Sequence, residues 1–203
     1  MNLDSIRHIG ARGSLSGKLL IAMPSMPDRR FNRAVIYICA HSADGAMGIV
    51  VNRRVSNVTL PELLVQLDVI SAEDVIRLPE RATNVDVLAG GPVETTRGFV
   101  LHSTDMVIEN ATLSVGENLG LTITLDMLRA IARGEGPNRA VLALGYASWS
   151  AGQLESEIRE NTWLHGNAEA DILFGLDHAH KYDRALQILG VSPAFLSVDA
   201  GNA

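Results

Sequence analysis

The sequence has one cysteine, few aromatic residues and no long apolar run, and each of these scarcities excludes a class of protein. A single cysteine among 203 residues cannot form an intrachain disulfide, and it fits a reducing compartment. No uninterrupted apolar segment approaches the roughly 20 residues that a membrane-spanning helix needs. The first residues, MNLDSIRHIGARG, lack the apolar core of a signal peptide. We therefore expect a cytoplasmic protein that is neither exported nor embedded in a membrane.

Positive charge is also scarce, because 17 lysines and arginines stand against 23 aspartates and glutamates. The resulting net charge of −6 argues against direct binding of duplex DNA, which needs concentrated positive charge. The arginines cluster near the N-terminus, at Arg29, Arg30, Arg33, Arg53 and Arg54. We expect them to form a solvated rim or to pair with the acidic remainder, and a patch for an acidic partner or nucleic acid is the alternative.

The predicted fold is organised around residues 35–53, which read VIYICAHSADGAMGIVVNR. Two apolar runs, 35–40 and 47–51, are separated by the residues SADG, and Asp-Gly between β-branched runs is a strong hairpin signal. Neither run alternates with polar residues, so we expect two central strands that are covered on both faces. The other elements should pack around this hairpin.

Strands and helices both follow along the chain, which predicts one compact α+β domain. Strands are predicted at 18–23, 85–89, 98–102, 106–108, 112–115, 121–124 and 139–147. The four short strands between residues 98 and 124 are expected to pair antiparallel. Helices are predicted from capping boxes at Thr59/Glu62 and Ser150/Gln153, near residue 124, at 170–174 and from Asp177. Residues 1–16 are interpreted as a loose lead-in and residues 17–203 as the domain.

Cys39 and His41 are the most suggestive candidates for a reactive pair of side chains. Residues i and i+2 of a strand point to one face, so the thiol and the imidazole could lie within a few ångströms of each other. A nearby imidazolium would lower the pKa of the thiol and favour the nucleophilic thiolate. The alternative is a small buried thiol in a central strand, with a hydrogen-bonded histidine at the strand end.

Two glycine-containing turns are candidate sites for an anion or a peptide. Gly90 and Gly91 allow close approach of the backbone, and their N–H groups could cradle an anion. Ser150, Gly152 and Gln153 lie where a strand leads directly into a helix N-terminus, a geometry that suits a phosphate or carboxylate. Neither segment matches a nucleotide-binding motif, and tight turns with an ordinary helix cap are the alternative.

The histidines do not predict a metal site. The pair His178-x-His180 has a suggestive spacing, but these positions do not share a helix face. Structural zinc usually needs four ligands, often including two thiolates, so we expect no metal. Trp149 and Trp163 flank the predicted third helix and are expected to be core anchors, each with an indole N–H that needs a partner.

Several longer strings together resemble one known family. They are LLIAMPSMPDRRFNRAVIYICAHSADGAMGIVVN, LAGGPVETTRGFVLH and LALGYASWSAGQLESEIRENTWL followed by LF. In this order, over residues 17–190, they resemble the AlgH/YqgE family of bacterial proteins. The resemblance implies a mixed, mostly antiparallel sheet curled toward a partly open barrel with packed helices. It implies no agreed reaction or cofactor, and Ala40 replaces a glutamate that close relatives often carry between Cys39 and His41.

One branch of that family is named as a candidate transcriptional regulator, but no helix-turn-helix can be mapped on this sequence. We therefore predict a non-enzymatic module with a regulatory role that binds a small molecule or a protein. Its pocket would form where several segments converge, at Cys39, His41, Gly90, Gly91, His102, Ser150, Gly152 and Gln153. The alternatives are an enzyme or redox sensor that uses Cys39, and a nucleic-acid-associated regulator that uses the arginines.

Overall fold

The structure is a computed structural model that describes residues 14–191, and residues 1–13 and 192–203 lie outside the described range. Most of the predicted lead-in, 1–16, therefore falls outside this range. The part that is described is held to the domain, because the Ser14 hydroxyl donates to the His41 carbonyl and the Leu15 N–H donates to the His41 ring. The boundary between lead-in and domain stays a prediction.

Within residues 14–191, nine strands form one sheet. Their bounds are β1 Lys18–Ala22, β2 Val35–Ser42, β3 Gly45–Val50, β4 Asp86–Ala89, β5 Val93–Ser103, β6 Thr112–Gly116, β7 Leu119–Thr122, β8 Ala140–Ser150 and β9 Trp163–Asn167. The order across the sheet is β6-β7-β5-β8-β3-β2-β1-β9, and β4 adds to β8 as the parallel pair. All the other pairings are antiparallel. The mixed, mostly antiparallel α+β fold is thus as predicted.

The sheet curls into a half-barrel, as the family resemblance implies. The hydroxyl of Tyr37 on β2 donates a hydrogen bond of 2.6 Å to the carbonyl of Val115 on β6. These two strands lie at positions six and one of the sheet order, so a flat sheet could not bring them together. The curl gives the sheet an enclosed inner face and an outer face.

The central hairpin is formed as predicted. Strands β2 and β3 pair antiparallel from Ile36↔Val50 to Ser42↔Gly45, with Ala43 and Asp44 in the turn. Every residue of both strands except Ser42 is buried. The apolar runs lack polar alternation because both of their faces lie against other parts of the protein.

In the described part of the chain, six short helices and two 3-10 turns cover the sheet. The helices are α1 Leu60–Gln66, α2 Glu80–Thr83, α3 Leu125–Ala132, α4 Gln153–Arg159, α5 Ala170–Phe174 and α6 Lys181–Ile188, and the 3-10 turns are Arg29–Phe31 and Ala72–Arg77. Helix α1 begins with the predicted capping box, in which Thr59 accepts from the Glu62 N–H and Glu62 accepts from the Thr59 N–H. Helix α5 matches its predicted bounds.

Three apolar clusters fill the spaces around the sheet. The largest lies inside the curl, where buried side chains from strands β1 to β8 meet α5 and α6. A second cluster lies on the outer face, where Trp149 and Trp163 pack with Leu154 of α4 over β2 and β3. The third holds α1, α2 and α3 against β4, β5 and β8. Both faces of the central strands are therefore covered.

Several predicted elements differ in the structure. Residues 106–108 are not a strand, because the Ile108 carbonyl accepts from the N–H groups of Ala111 and Thr112 in a turn that leads into β6. Strand β8 continues to Ser150, and the helix predicted there begins at Gln153. The last helix begins at Lys181 rather than at Asp177. The strand at 106–108 was therefore wrongly predicted, whereas β8, α4 and α6 were predicted with displaced ends.

We expect Gly48→Val to destabilise the protein by about 3 kcal/mol or more, because overpacking a closed core forces neighbouring atoms to move. A Cβ at Gly48 would lie 2.6 Å from Ile36 Cγ2 and 2.9 Å from the Tyr37 carbonyl oxygen. Urea unfolding of the purified variant measures the loss. Cys39→Ala, in the facing strand, is the matched control and should cost about 1 kcal/mol. Equal unfolding midpoints for Gly48→Val and wild type would contradict this account.

Candidate functional site

Cys39 and His41 do not form a pair, because the strand changes its alternation between them. A β-bulge lies between Ile38 and Ala40, so one extra residue opposes β3 at this point. Cys39 and Ala40 both face the inner cluster. His41 pairs across the sheet with Ala46 and then Trp149, both on the outer face. The expectation of a shared face was therefore wrong, and no Cys–His dyad is assembled.

The environment of Cys39 is that of a structural thiol. The side chain is fully buried, and its Sγ lies 3.7 Å from the Tyr37 carbonyl oxygen, to which the thiol donates. Burial raises the pKa of the Cys39 thiol far above its ordinary value because a thiolate would be desolvated there. His41 is tied elsewhere, with Nε2 2.7 Å from Oε1 of Glu155 and Nδ1 accepting from the Leu15 N–H.

His102 is completely buried in a separate hydrogen-bonded chain on the β5–β7 side of the sheet. Its Nδ1 donates to the Ser103 carbonyl, so Nε2 of the neutral ring accepts from the Thr122 hydroxyl at 2.9 Å. The Thr112 hydroxyl continues the chain at 2.7 Å from that of Thr122. Burial lowers the pKa of His102. The residue stabilises this region and lies apart from the other predicted site residues.

The Gly90-Gly91 turn is needed for close packing against β8. A Cβ at Gly90 would lie 2.3 Å from the Gly145 carbonyl oxygen, and one at Gly91 would lie 2.1 Å from the Tyr146 carbonyl carbon. The Gly90 N–H already donates to the Leu144 carbonyl, so it is not free to bind an anion. The turn nevertheless places the following residues, Pro92 and Val93, beside a cavity.

The start of α4 is built differently from the predicted capping box. Gly152 precedes the helix with φ +73°, a left-handed conformation that lets β8 turn into α4 within two residues. The Gln153 side-chain oxygen accepts from both the N–H and the hydroxyl of Ser150, at 3.0 and 3.1 Å. The Ser150 hydroxyl therefore donates to Gln153 instead of accepting a helix N–H. This arrangement fixes which way the Gln153 amide points.

A cavity of about 350 Å³ opens along α4, from Gln153 at its start to Glu160 just past its end. We call it the tryptophan pocket, and its lining comes from the 3-10 turn at 29–31, the turn before β5, the end of β8, α4 and the start of β9. Among the eight predicted site residues, all in the described part of the chain, Gln153 is the one that lines it. The lining residues are Met26, Pro27, Asp28, Arg30, Phe31, Pro92, Val93, Ser148, Trp149, Gln153, Glu157, Glu160, Thr162 and Trp163.

One carboxylate joins both tryptophans of the chain. Oε2 of Glu157 accepts from the indole N–H of Trp149 at 2.9 Å and from that of Trp163 at 2.7 Å. Oε1 of the same residue accepts from the Gln153 amide at 2.8 Å. Because Ser150 orients Gln153, the network fixes the carboxylate and both indoles relative to α4. The expectation that each buried indole would find a hydrogen-bond partner is confirmed.

Aromatic contacts complete the wall of the tryptophan pocket. The rings of Trp149 and Trp163 meet edge to face with centroids 5.9 Å apart, and both side chains are nearly buried. Phe31 lies 5.6 Å from Trp163 and 6.5 Å from Trp149, centroid to centroid, and is partly exposed. Such offset and edge-to-face pairs are favourable beyond their buried area. They give the pocket a rigid apolar side.

Glu157, Phe31 and Arg30 line the tryptophan pocket but were not among the eight predicted site residues. For Glu157 a signal was present, because it lies eight residues after Trp149 and six before Trp163, within the helix that they flank. An indole N–H that must be satisfied in a core needs an acceptor, and Glu157 is one of three acidic residues between the two tryptophans, with Glu155 and Glu160. For Phe31 and Arg30 no local signal existed, since their proximity to the tryptophans depends on the order of β8, β3, β2, β1 and β9 in the sheet.

Most of the clustered N-terminal arginines form ion pairs or hydrogen bonds within the protein. The pairs are Arg30 with Asp28, Arg33 with Asp183 and Arg54 with Asp86, and Arg53 donates to the carbonyls of residues 30 and 32. The prediction that these arginines pair with acidic residues is confirmed for the three ion pairs.

The described residues give no sign of a metal centre or a membrane helix. Within residues 14–191, no group of three or more His, Cys, Asp or Glu side chains is placed to hold a metal ion. His178 is bonded to Asp86 and His180 to Asp177, so each of these imidazoles has its own carboxylate. No helix in the same range is long and apolar enough to cross a membrane.

Fold and site together define a half-barrel α+β domain with a tryptophan-lined pocket on its outer face. Comparison with known proteins agrees, because the model of the AlgH-like family matches residues 19–194. The chain belongs to this family. A UPF0301 protein of Rhodopseudomonas palustris is 59% identical over 93% of this chain and 87% of its own length, and one of Beijerinckia indica is 56% identical over 100% and 98%.

Two solved structures share the architecture. The solution structure of the AlgH protein from Pseudomonas aeruginosa matches with a TM-score of 0.73 at 39% identity, over 96% of this chain and 98% of that one. The crystal structure of a Corynebacterium diphtheriae protein matches with a TM-score of 0.65, over 93% of this chain and 94% of that one. At 19% identity the second likeness shows the fold alone. The function of this family is not established.

We expect the Cys39 thiol to resist labelling in the native protein, because it is fully buried and its pKa is raised. An aromatic disulfide reagent at pH 8 measures this by absorbance. Addition of denaturant to the same sample is the control and should release one equivalent of thiol. Stoichiometric labelling within minutes, without denaturant, would contradict the assignment.

The stability contributed by His102 should decline as the pH falls. Because burial lowers its folded-state pKa, the unfolded chain takes up a proton first, near pH 6.5. The contribution is thus complete above that pH and is lost as the pH falls toward the folded-state pKa. We expect His102→Asn to cost about 1–3 kcal/mol at pH 8 and less at pH 5. Urea unfolding of both proteins at the two pH values measures the difference, and a constant cost would contradict this.

Proposed function

We propose that the protein is a non-enzymatic binding module and that the tryptophan pocket is its binding site. The observation that carries the proposal is the pocket's construction, in which one carboxylate fixes both tryptophans beside an open cavity of about 350 Å³. Sites for small molecules in proteins occupy about 300–1,000 Å³ and combine apolar walls with a few oriented polar groups. The pocket fits this description in both size and lining.

The alternative of a thiol enzyme or redox sensor has less support. A nucleophilic or sensing cysteine needs solvent access and an environment that lowers its pKa. Cys39 has neither, since it is fully buried and its pKa is raised. His41, the expected partner, lies on the other face of the strand. Binding rather than covalent chemistry is the function that these contacts favour.

A nucleic-acid-binding role also has less support than binding at the pocket. Three of the clustered arginines are paired with aspartates, which leaves less unpaired positive charge for phosphates. The net charge of −6 opposes binding to a polyanion. We therefore propose that any regulatory role is exerted through a bound small molecule or protein partner. We also propose a cytoplasmic location, which is consistent with a single cysteine that cannot form an intrachain disulfide.

Nuclear magnetic resonance of the ¹⁵N-labelled full chain tests the proposal directly. The chain has two tryptophans and both line the pocket, so its two indole N–H signals report on this site. We expect members of a fragment collection of mixed charge to shift both signals saturably, with millimolar dissociation constants because fragments are small.

A pair of matched variants locates the binding. Ser148 lines the pocket and Ser114 lies on β6, and both are exposed serines in strands. Ser148→Phe should fill part of the cavity and abolish the shifts, whereas Ser114→Phe should leave them unchanged. If no fragment of any charge moves either indole signal, or if Ser148→Phe binds as well as wild type, the proposed function is wrong.

A further inference from the structure

We infer that the tryptophan pocket selects a positively charged organic group, an ammonium or guanidinium carried on an aliphatic body. This inference rests on the proposed binding function and specifies the chemical class of its ligand. It follows from the charge of the lining, the acceptor capacity of Glu157 and the apolar wall.

The charged lining residues leave an excess of negative charge in the pocket. Four of them line it, and two of these neutralise each other, because Asp28 and Arg30 form a doubly bonded ion pair with a shortest contact of 2.7 Å. Asp28 also caps the 3-10 turn by accepting the Arg30 N–H. The remaining two, Glu157 and Glu160, are both acidic. A cation therefore finds uncompensated carboxylates here, and an anion would be repelled.

Glu157 retains the capacity to accept one more hydrogen bond. A carboxylate has about four acceptor positions, two on each oxygen. Oε2 uses both of its positions for the two indoles, whereas Oε1 uses one for Gln153. The Gln153 amide cannot turn away, because its oxygen is bound to Ser150. The unused position on Oε1 is therefore held in a fixed place, where a ligand N–H can donate to it.

Glu160 adds a second carboxylate to the lining of the pocket. It is the C-cap residue of α4 and lies three residues after Glu157, a spacing that places two side chains on the same side of a helix. Glu160 is exposed and accepts from the Ser156 hydroxyl, which leaves further acceptor positions on its carboxylate. A cation bound in the pocket would therefore lie near two carboxylates.

The apolar wall suits an aliphatic body rather than a bare ion. Met26, Pro27, Phe31, Pro92 and Val93 line the cavity together with the two tryptophans. Apolar surface of this kind stabilises a ligand in proportion to the area that it removes from water. A hydrocarbon chain can lie along this wall while its charged end reaches the carboxylates, as the long side chains of lysine and arginine do at protein surfaces.

The test compares n-pentylammonium with pentan-1-ol, which share a chain length and differ in charge. Titrations followed by the two indole N–H signals give both dissociation constants. We expect wild type to bind the ammonium about tenfold more tightly or better, because hydrogen bonds to charged groups are the stronger ones. Glu157→Gln should reduce this preference to about threefold or less, because it keeps an amide oxygen for the indoles but removes the charge.

Further variants guard against a folding artefact. Glu160→Gln, at an exposed position, should also lower the preference, so it carries the test if Glu157→Gln does not fold. Glu109→Gln, an exposed glutamate outside the pocket lining, should leave the preference unchanged. A capped Gly-Lys-Gly peptide distinguishes two sources of the cation. If the peptide binds more tightly than n-pentylammonium, the ligand is a lysine side chain of a protein partner. If n-pentylammonium binds more tightly, the ligand is a free amine.

The failure of this inference can be separated from that of the proposed function. Equal binding of the ammonium and the alcohol, or a cation preference that survives both Glu157→Gln and Glu160→Gln, overturns the inference. Neutral or anionic fragments would then still shift the indole signals, and the binding function would stand. If no compound shifts them, the proposed function itself is wrong.

Discussion

The burial of β2 and β3 on both faces is the constraint on which the rest of the structure depends. Residues 35–40 are at most 3% exposed, so neither face of the central strands can be left to solvent. The inner face is covered because the sheet curls and α5 and α6 close the opening. The outer face needs a separate cover, which Trp149, Trp163 and α4 provide. The tryptophan pocket lies where this outer cover meets the turn at 29–31.

The bulge between Ile38 and Ala40 decides which residues can act together. Without it, Cys39 and His41 would share a face, and the thiol would be a neighbour of the imidazole. With it, Cys39 joins the inner core and His41 is bonded to Glu155 of α4 on the outside. One additional residue in one strand therefore changes the chemistry from a potential nucleophile to a packing group.

Much of the architecture could be predicted from the sequence, and the reasons are local. The hairpin followed from Asp-Gly between apolar runs, and α1 followed from a capping box that the structure contains. The ends of β8 and α6 were displaced because strand and helix limits depend on pairing partners and caps distant in sequence. The bulge at Cys39 left no trace in the apolar pattern, because both of its neighbours are apolar whichever face they occupy.

The candidate site was predicted only in part. Gln153 lines the tryptophan pocket and Gly91 directly precedes two of its lining residues, whereas Cys39 and His102 are buried elsewhere. Chemically suggestive residues were weighed by type, but the site is defined by a cavity, and a cavity depends on how separate segments meet. Residues 29–31 reach the end of α4 only because β2 and β8 both pair with β3.

Native-state hydrogen exchange tests the two-sided burial of the central strands most directly. The amides of Ile36–Ala40 and of the facing residues in β3 should exchange only through global unfolding, with opening free energies equal to that measured by urea denaturation. The indole N–H protons should open at a lower free energy, because they lie in the outer cover beside the pocket. Exchange of the β2 amides through local openings, well below the global value, would contradict the account.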